Sequence, residues 1–470
     1  MIRLLDISNH ALFWYYLAGN LAYLVMLIVA LKTSAAHQRR LESRRLDWIK
    51  QTPLAPPITI IAPAHNEERS IRLAIRNLLG LDYPQLEVIV VNDGSSDGTF
   101  DELRGEFHLR SVRSVYVTKT KCAPVRGLYR SDVDPRLLVV DKESGGSKAD
   151  AVNAGLNAAT SPYVCIVDSD SILEQDALLR IMVPILEDPE RVVAVGGIIR
   201  VLNGSEIAGG RLRRVRLPRK SIEAIQVIEY LRAFLIGREA WGQGNMLTII
   251  SGAFGVFRTE QVRAIGGYRP SAIGEDFDLI TRLHRYLRQQ RADYHIQFVP
   301  DPMCWTEVPS DLKSLGRQRA RWQKGLLDVL WINRDMLFRR RYGRIGWLAL
   351  PYLWLFELMA PVIEIGGIAT IVLAACLGVL SQEFFVQFLL FGYAFATVIS
   401  LGSVLQEEIT YKRYNDWQDV VWLVTFCFLE HFPYRQLHMI WRLQGLWQYV
   451  RGDNVWRPLT RKGLASANVP

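Results

Sequence analysis

Between about Ala55 and Arg334, short unbroken apolar runs alternate with segments whose apolar residues recur every three or four positions. The runs ITIIAPAH, LEVIVVND, RLLVVD, YVCIVDSD and VVAVGG begin at Ile58, Leu86, Arg136, Tyr163 and Val192. They are rich in β-branched residues and too short for helices, which predicts strands buried on both faces. Glu68 to Leu79 carries a helical pattern between the first two runs, and Ser147 to Ala159 carries another between the third and fourth. Strands alternating with helices predict a parallel α/β sheet covered on both sides. Ligands of such sheets bind outside the carboxyl ends of the strands. Asp93, Asp141, Asp168 and Asp170 all stand at such ends. They are expected on the rim of a site, because an unpartnered carboxylate in the core is very costly.

A different pattern brackets this stretch. Leu12 to Leu31 is uncharged and long enough to cross a hydrocarbon layer about 30 Å thick. A cleaved leader would carry its positive charge ahead of the run. Here most of that charge (Lys32, Arg39, Arg40, Arg44, Arg45) comes after it, which directs the N-terminus outward and the next segment into the cytosol. Val362 to Leu380 and Phe384 to Leu405 are further candidate spans, with Glu364 the one charge inside them. Trp347 to Pro361 suits the interface. Val420 to Leu443 carries Glu430, His431, Arg435 and Arg442. It reads as an interfacial or broken helix pair near the cytosolic face, with a third span as the alternative. A crossing there would put the basic tail outside. The expected organisation is an N-terminal membrane helix and basic linker (1–54), a cytosolic domain (55–334), and a C-terminal membrane region with a basic tail (335–470). That is a multi-pass protein of the cell (inner) membrane.

Composition changes this picture little. Half of the 470 residues are hydrophobic and 13 are Trp, yet 22% are charged, too many for a chain wholly within lipid. The net charge of +9 suits nucleic acid, anionic lipid or a phosphorylated substrate. Because the basic residues lie largely beside the apolar runs, anionic lipid accounts for them better, and no nucleic-acid partner is expected. The five cysteines show no metal-ligand spacing and read as reduced, mostly structural thiols.

The candidate chemistry sits at the strand ends. Asp-x-Asp occurs three times, at Asp132/Asp134, Asp168/Asp170 and Asp276/Asp278. On a strand-end turn, two aspartates can ligate a hard divalent cation, Mg²⁺ or Mn²⁺, that takes its other ligands from phosphate and water. They can equally cap the following helix, and the residues alone leave both open. IIAPAHNEE (Ile60 to Glu68) and VVNDGSSDGT (Val90 to Thr99) leave their strands in polar turns. SGGSKADAVNAG (Ser144 to Gly155) reads either as a phosphate cradle at a helix start or as a flexible loop with a solvated Lys148. GEDFDLITRLHR (Gly274 to Arg285) opens a helix with acids, which its dipole favours. SGAFGVFR (Ser251 to Arg258) reads either as a loop close to a ligand or as a glycine-containing strand. QRARWQKG (Gln318 to Gly325) places Gln318, Arg321 and Trp322 on one helix face. An amphipathic interfacial helix would show the same pattern.

Taken in order, PAHNE, VNDGSSDGT, GGSKADAVNAG, DSD, GED and QRARW resemble glycosyltransferase family 2. Within it they look like the membrane-embedded synthases of β-linked polysaccharides such as cellulose, chitin, hyaluronan and poly-N-acetylglucosamine. The resemblance runs from about Pro57 to Leu327. It implies a GT-A (Rossmann-like) α/β fold and an inverting transfer from a nucleotide-sugar donor, UDP-linked, to a growing polysaccharide, with Mg²⁺ or Mn²⁺. By the same resemblance Pro63, Ala64, Asn66, Glu67 and Asp93 form the nucleotide-binding loops, with Asp93 on the base side. Lys148 contacts the diphosphate, and Asp168 and Asp170 hold the metal. Asp276 is the general base, while Asp278 supports its helix. Gln318, Arg319, Arg321 and Trp322 hold the diphosphate and stack the acceptor sugar.

A weaker match in NVWRPLTRKG would let Trp456, Arg457, Arg461 or Lys462 reach the nucleotide, although a basic tail on anionic lipid is the preferred reading. The second strand ends in Asn92-Asp93 where many such enzymes have Asp-Asp. The C-terminal membrane part is short for a polymer channel, which leaves room for an accessory export subunit. Two other readings stay open: transfer of one sugar to a lipid-linked acceptor, and a non-catalytic export or scaffold partner.

Overall fold

The computed structural model describes residues 2–43, 46, 49–50, 55–113, 116–414 and 416–453. Arg44, Arg45, Trp456, Arg457, Arg461 and Lys462 lie outside the described residues. Twelve strands follow in chain order among the described residues: β1 (Ile58–Ala64), β2 (Leu86–Asp93), β3 (Leu109–Ser111), β4 (Val125–Ser131), β5 (Leu137–Lys142), β6 (Tyr163–Val167), β7 (Ile172–Leu173), β8 (Val192–Val201), β9 (Glu206–Ala208), β10 (Arg211–Arg214), β11 (Phe254–Arg258) and β12 (His295–Thr306). β9 and β10 form a separate hairpin. The rest make one ten-stranded sheet in the order β3-β4-β5-β2-β1-β6-β11-β8-β12-β7.

Each of the five apolar runs contains a strand, and these strands are buried on both faces as continuous β-branched runs require. β5, β2, β1 and β6 are parallel neighbours. The sheet is not parallel throughout: β11 enters antiparallel between β6 and β8, and β4 runs antiparallel to β5. The chain passes from β1 to β2 on one side and returns to β6 on the other, so the strand order reverses at β1. The carboxyl ends of β1, β2, β5 and β6 therefore open onto one crevice. The helix Lys148–Ala158 packs beneath it. Gly155 makes that approach possible, since a Cβ there would stand 2.4 Å from Ile61 Cγ2.

Among the described residues, two helices are long and apolar enough to cross a membrane: Ile7–Ser34, with mean hydropathy 1.8, and Phe385–Thr410, with 2.0. Only 11% and 28% of their most apolar windows are buried inside the protein, so lipid is the solvent that suits their surfaces. Ile345–Leu358 and Ala360–Cys376 form a pair bent by 44°, which adds a third span if the pair crosses as one. The run Val420 to Leu443 divides into the helices Trp417–Leu429 and Tyr434–Val450. Its charged residues Glu430 and His431 fall at the break.

Polar contacts fasten the apolar helices to the sheet domain. Arg200, on β8, forms an ion pair with Glu407 of the helix Gln382–Thr410, and both side chains are almost wholly buried. Thr33 and Ser34, near the end of the first span, donate to the Glu239 carboxylate at 2.6 and 2.7 Å. Gln406 donates to Ser34 Oγ at 2.7 Å. Breaking a buried pair strands a charge, whereas replacing both partners with apolar groups need not. Arg200→Ala should therefore cost about 3–5 kcal/mol. The double variant Arg200→Met/Glu407→Leu should recover most of that, as read by thermal unfolding in detergent.

Candidate active site

The loops after β1 and β2 are stitched together at the crevice. Asn66 turns the chain with φ 57°, its Oδ1 accepts from Ser96 N at 2.8 Å, and its own N–H donates to Ser95 Oγ at 3.1 Å. Glu67 N–H donates to Thr99 Oγ1 at 2.8 Å. His65 Nδ1 lies 2.8 Å from the Asp93 carbonyl. Pro63 and Ala64 close β1 beside Val91 and Asn92. Asn92 is buried and donates to Asp141 Oδ1 at 2.7 Å. An aspartate in that position would repel Asp141, so here the amide suits the site better than an Asp-Asp pair.

Asp93 is buried, and its Oδ1 accepts from Gly145 N at 3.0 Å and from the Lys142 ammonium. Lys142 is fully buried and also pairs with Asp150 at 2.6 Å. One cation thus sits between two carboxylates beneath the loop Ser144–Ser147. Sequence reasoning passed over Lys142, which closes β5 directly opposite Asp93. A lysine ending an apolar strand was the available signal.

The remaining groups meet at Gly252. Lys148, the first residue of its helix, pairs with Asp168 and donates to the Gly252 carbonyl at 3.0 Å. On the other side of that residue, Gly252 N–H donates to Asp276 Oδ2 at 2.9 Å. A Cβ at Gly252 would stand 2.4 Å from Lys148 Nζ and 2.6 Å from both Asp276 oxygens, so any side chain there would displace these groups. Burial works against the Lys148 charge. Asp168, Asp276 and Glu275 more than offset it and hold the ammonium above its ordinary range. Burial pushes the Asp276 carboxyl up to about 7, with Lys148 pulling it down and Glu275 and Asp168 adding to the rise. Asp276 Oδ1 is enclosed and has no hydrogen-bond partner. Asp278, two residues on, is fully buried between Arg282 at 2.7 Å and Arg269 at 3.2 Å. Asp170 is buried on the turn beyond β6.

The helix Leu312–Ile332 carries Gln318, Arg319, Arg321 and Trp322. Gln318 and Arg319 are buried. The Arg319 guanidinium donates to Gln318 Oε1 at 2.7 Å and to Glu229 Oε2 at 2.5 Å, and it lies 4.2 Å from the centre of the Trp322 ring. Tyr434 and His438 meet the same Glu229 carboxylate. Arg321 is partly exposed and makes no ion pair or hydrogen bond among the described residues, and Trp322 is 41% exposed. Gly325, one turn beyond both, abuts the backbone of Gly274, two residues before Asp276. The helix that carries Arg321 and Trp322 thus packs through Gly325 against the start of the helix Glu275–Gln289. The structure brings Lys148, Asp168 and Asp276 into one cluster. Asp93 stands apart with Lys142, and Arg319 is turned to Glu229.

A family model described as "Glycosyltransferase like family 2" matches residues 56–325, more than half of the chain and the whole of this crevice. The chain belongs to that family. Poly-beta-1,6-N-acetyl-D-glucosamine synthases of Staphylococcus aureus (strain COL) and Staphylococcus epidermidis are similar to this family 2 chain, at 31% and 28% identity over 275 residues. The match covers 58% of the chain and 55% of either relative, so the chain spans about half the length of the curated relatives it matches. A solved mannosyltransferase from Pyrobaculum calidifontis, in complex with GDP-Man and Mn²⁺, superposes with a TM-score of 0.51 at 21% identity. That alignment covers 90% of this chain and 99% of the other. The likeness is one of fold, the GT-A type of α/β sheet.

The Asp276 shift has a consequence for stability. Its ordinary value is 3.8, so between about pH 4 and 7 the folded protein keeps a proton that the unfolded chain has lost. Stability therefore falls as pH rises through that window, and ionised Asp276 is a liability above it. Asp276→Asn should raise the midpoint of thermal unfolding at pH 8 and leave it nearly unchanged at pH 4.5. An equal effect at both pH values would contradict the assigned shift.

Proposed function

We propose that the chain is a membrane-bound inverting glycosyltransferase. It moves a sugar from a nucleotide-sugar donor, UDP-linked, to the end of a β-linked polysaccharide. One observation carries the reading: Asp276 presents an enclosed, unpartnered carboxylate oxygen with a pKa near neutrality, beside a Lys148–Asp168 pair. That is the state a general base needs to take a proton at physiological pH.

The residues divide the work as follows. Asp276 takes the proton of an acceptor hydroxyl while its oxygen bonds to the anomeric carbon. The bond from that carbon to the diphosphate breaks on the opposite face, and the diphosphate leaves with the electron pair. Lys148 and Arg321 meet that growing negative charge, Arg321 through its forked donors. Trp322 offers its exposed face to the acceptor ring. Asp93, set by Lys142, faces the nucleobase side with Pro63, Ala64, Asn66 and Glu67. Gln318 and Arg319 support Trp322 from beneath.

Asp168 and Asp170 fit a divalent cation, Mg²⁺ or Mn²⁺. They are two hard oxygen donors on the turn beyond β6. Such a partial set suits ions that keep water and phosphate ligands. When bound, the cation would neutralise charge on the leaving diphosphate. The Mn²⁺ held by the mannosyltransferase of like fold supports this choice. The staphylococcal synthases favour N-acetylglucosamine as the sugar. With the apolar helices in lipid, residues 55–334 face the cytosol and 335–470 return to the membrane.

The test is the full chain in nanodiscs with a panel of UDP-sugars and GDP-mannose, each with Mg²⁺ or Mn²⁺. Nucleotide release and product size are followed. Transfer from one donor into high-mass product is expected, falling on the acid side of about pH 7, and at least 10³-fold lower in Asp276→Asn. Small lipid-linked product alone would replace polymerisation by single addition. Full activity in Asp276→Asn would remove the assigned base.

A further inference from the structure

Arg238 is 8% exposed, and its Nη1 is enclosed without a hydrogen-bond partner. It forms no ion pair among the described residues, and its guanidinium lies 4.0 Å from the centre of the Phe234 ring. Buried cationic side chains ordinarily find a carboxylate, because an uncompensated buried charge is strongly destabilising. Lys142, Arg200 and Arg319 in this protein all do so. Arg238 is therefore kept at a cost to the ligand-free fold.

Its setting points to the crevice. Arg238 ends the π-helical stretch Leu231–Arg238, in which Leu235 and Ile236 are fully buried. Such wide turns are rare in helices and recur at functional sites. Trp241, one turn further on, packs in the same apolar cluster as Phe277 and Leu326, against the starting turns of the Asp276 helix. Asp276 acts electrostatically on Arg238, and burial draws the guanidinium down to about 10. The two are nonetheless not bonded to each other.

Asp276 Oδ1 is thus an acceptor without a donor, and Arg238 Nη1, on a side chain within its electrostatic reach, is a donor without an acceptor. A phosphate oxygen could satisfy only Arg238. A sugar bearing hydroxyls satisfies both, giving a proton to one and accepting from the other. We propose that Arg238 binds the acceptor, donating to oxygens of its terminal sugar and so presenting the reacting hydroxyl to Asp276. This rests on the transferase reading above.

The test uses the full chain in nanodiscs with Arg238→Met and Arg238→Lys. Without ligand, Arg238→Met should unfold a few degrees higher than wild type, since an unpaired buried charge has gone. A lower midpoint would make Arg238 a structural residue and overturn the proposal. By calorimetry, Arg238→Met should bind a β-1,6-linked N-acetylglucosamine tetramer 10- to 100-fold more weakly and UDP within twofold of wild type, with Arg238→Lys recovering part of the loss. An equal loss of UDP affinity would assign Arg238 to the donor and overturn it. Unchanged tetramer affinity and elongation, in a wild type that turns over a donor, would overturn the Arg238 assignment alone. A wild type that binds neither UDP nor tetramer would remove the transferase reading, and the proposal with it.

Discussion

The site is organised by one ammonium group. The Lys148 charge sits among Asp168, Asp276 and Glu275, three carboxylates that the turn after β6 and the start of the helix Glu275–Gln289 deliver to the same place. Without a cation there, these acids would repel one another, and Asp276 would be driven further toward its neutral form. With it, Asp168 stays paired and Asp276 rests near neutrality. The Gly252 peptide fixes this balance by accepting from Lys148 and donating to Asp276. That peptide can lie between them because residue 252 has no side chain.

The same rule of charge compensation recurs away from Gly252. Lys142 serves Asp93 and Asp150, Arg319 serves Glu229, and Arg200 serves Glu407. All but the Lys142–Asp150 pair join elements distant in the chain. Glu229 in particular collects Arg319, Tyr434 and His438, tying the helix that carries Trp322 to the C-terminal helix Tyr434–Val450. Glycines tighten that seam. A Cβ at Gly445 would stand 2.4 Å from the Ala320 carbonyl oxygen, so the two helices touch backbone to backbone. A shift of the membrane-side helix would move Trp322 with it.

How much of this was legible depended on the kind of signal. The five central strands were readable because burial on both faces leaves continuous apolar runs. β4 was not, because one of its faces is wet and Arg126 and Arg130 interrupt it. β11 stayed ambiguous until its neighbours were known, since a short strand between glycines looks like a loop. Asp168, Lys148, Asp276 and Trp322 were singled out through ordered motifs, and the structure brings the first three together. What the motifs could not tell was pairing: that Arg319 faces Glu229, or that Lys142 stands opposite Asp93. Those facts depend on strand register and helix crossing, which one sequence does not encode locally. Arg238 was invisible for the same reason, as its distinguishing property is the lack of a partner.

Unpartnered groups are the informative residue of such bookkeeping. Most buried charges in this protein are explained by the fold: remove the partner and the fold suffers. Arg238 and Asp276 Oδ1 are not explained that way, because the fold is worse for holding them. A structure that pairs Arg200, Arg319 and Lys142 with carboxylates shows that its packing can supply such partners to buried cations. That it leaves Arg238 Nη1 and Asp276 Oδ1 open, two groups of opposite charge within electrostatic reach of each other, is the basis of the acceptor contact proposed for Arg238. The acceptor contact proposed for Arg238 would recover the stability given up there.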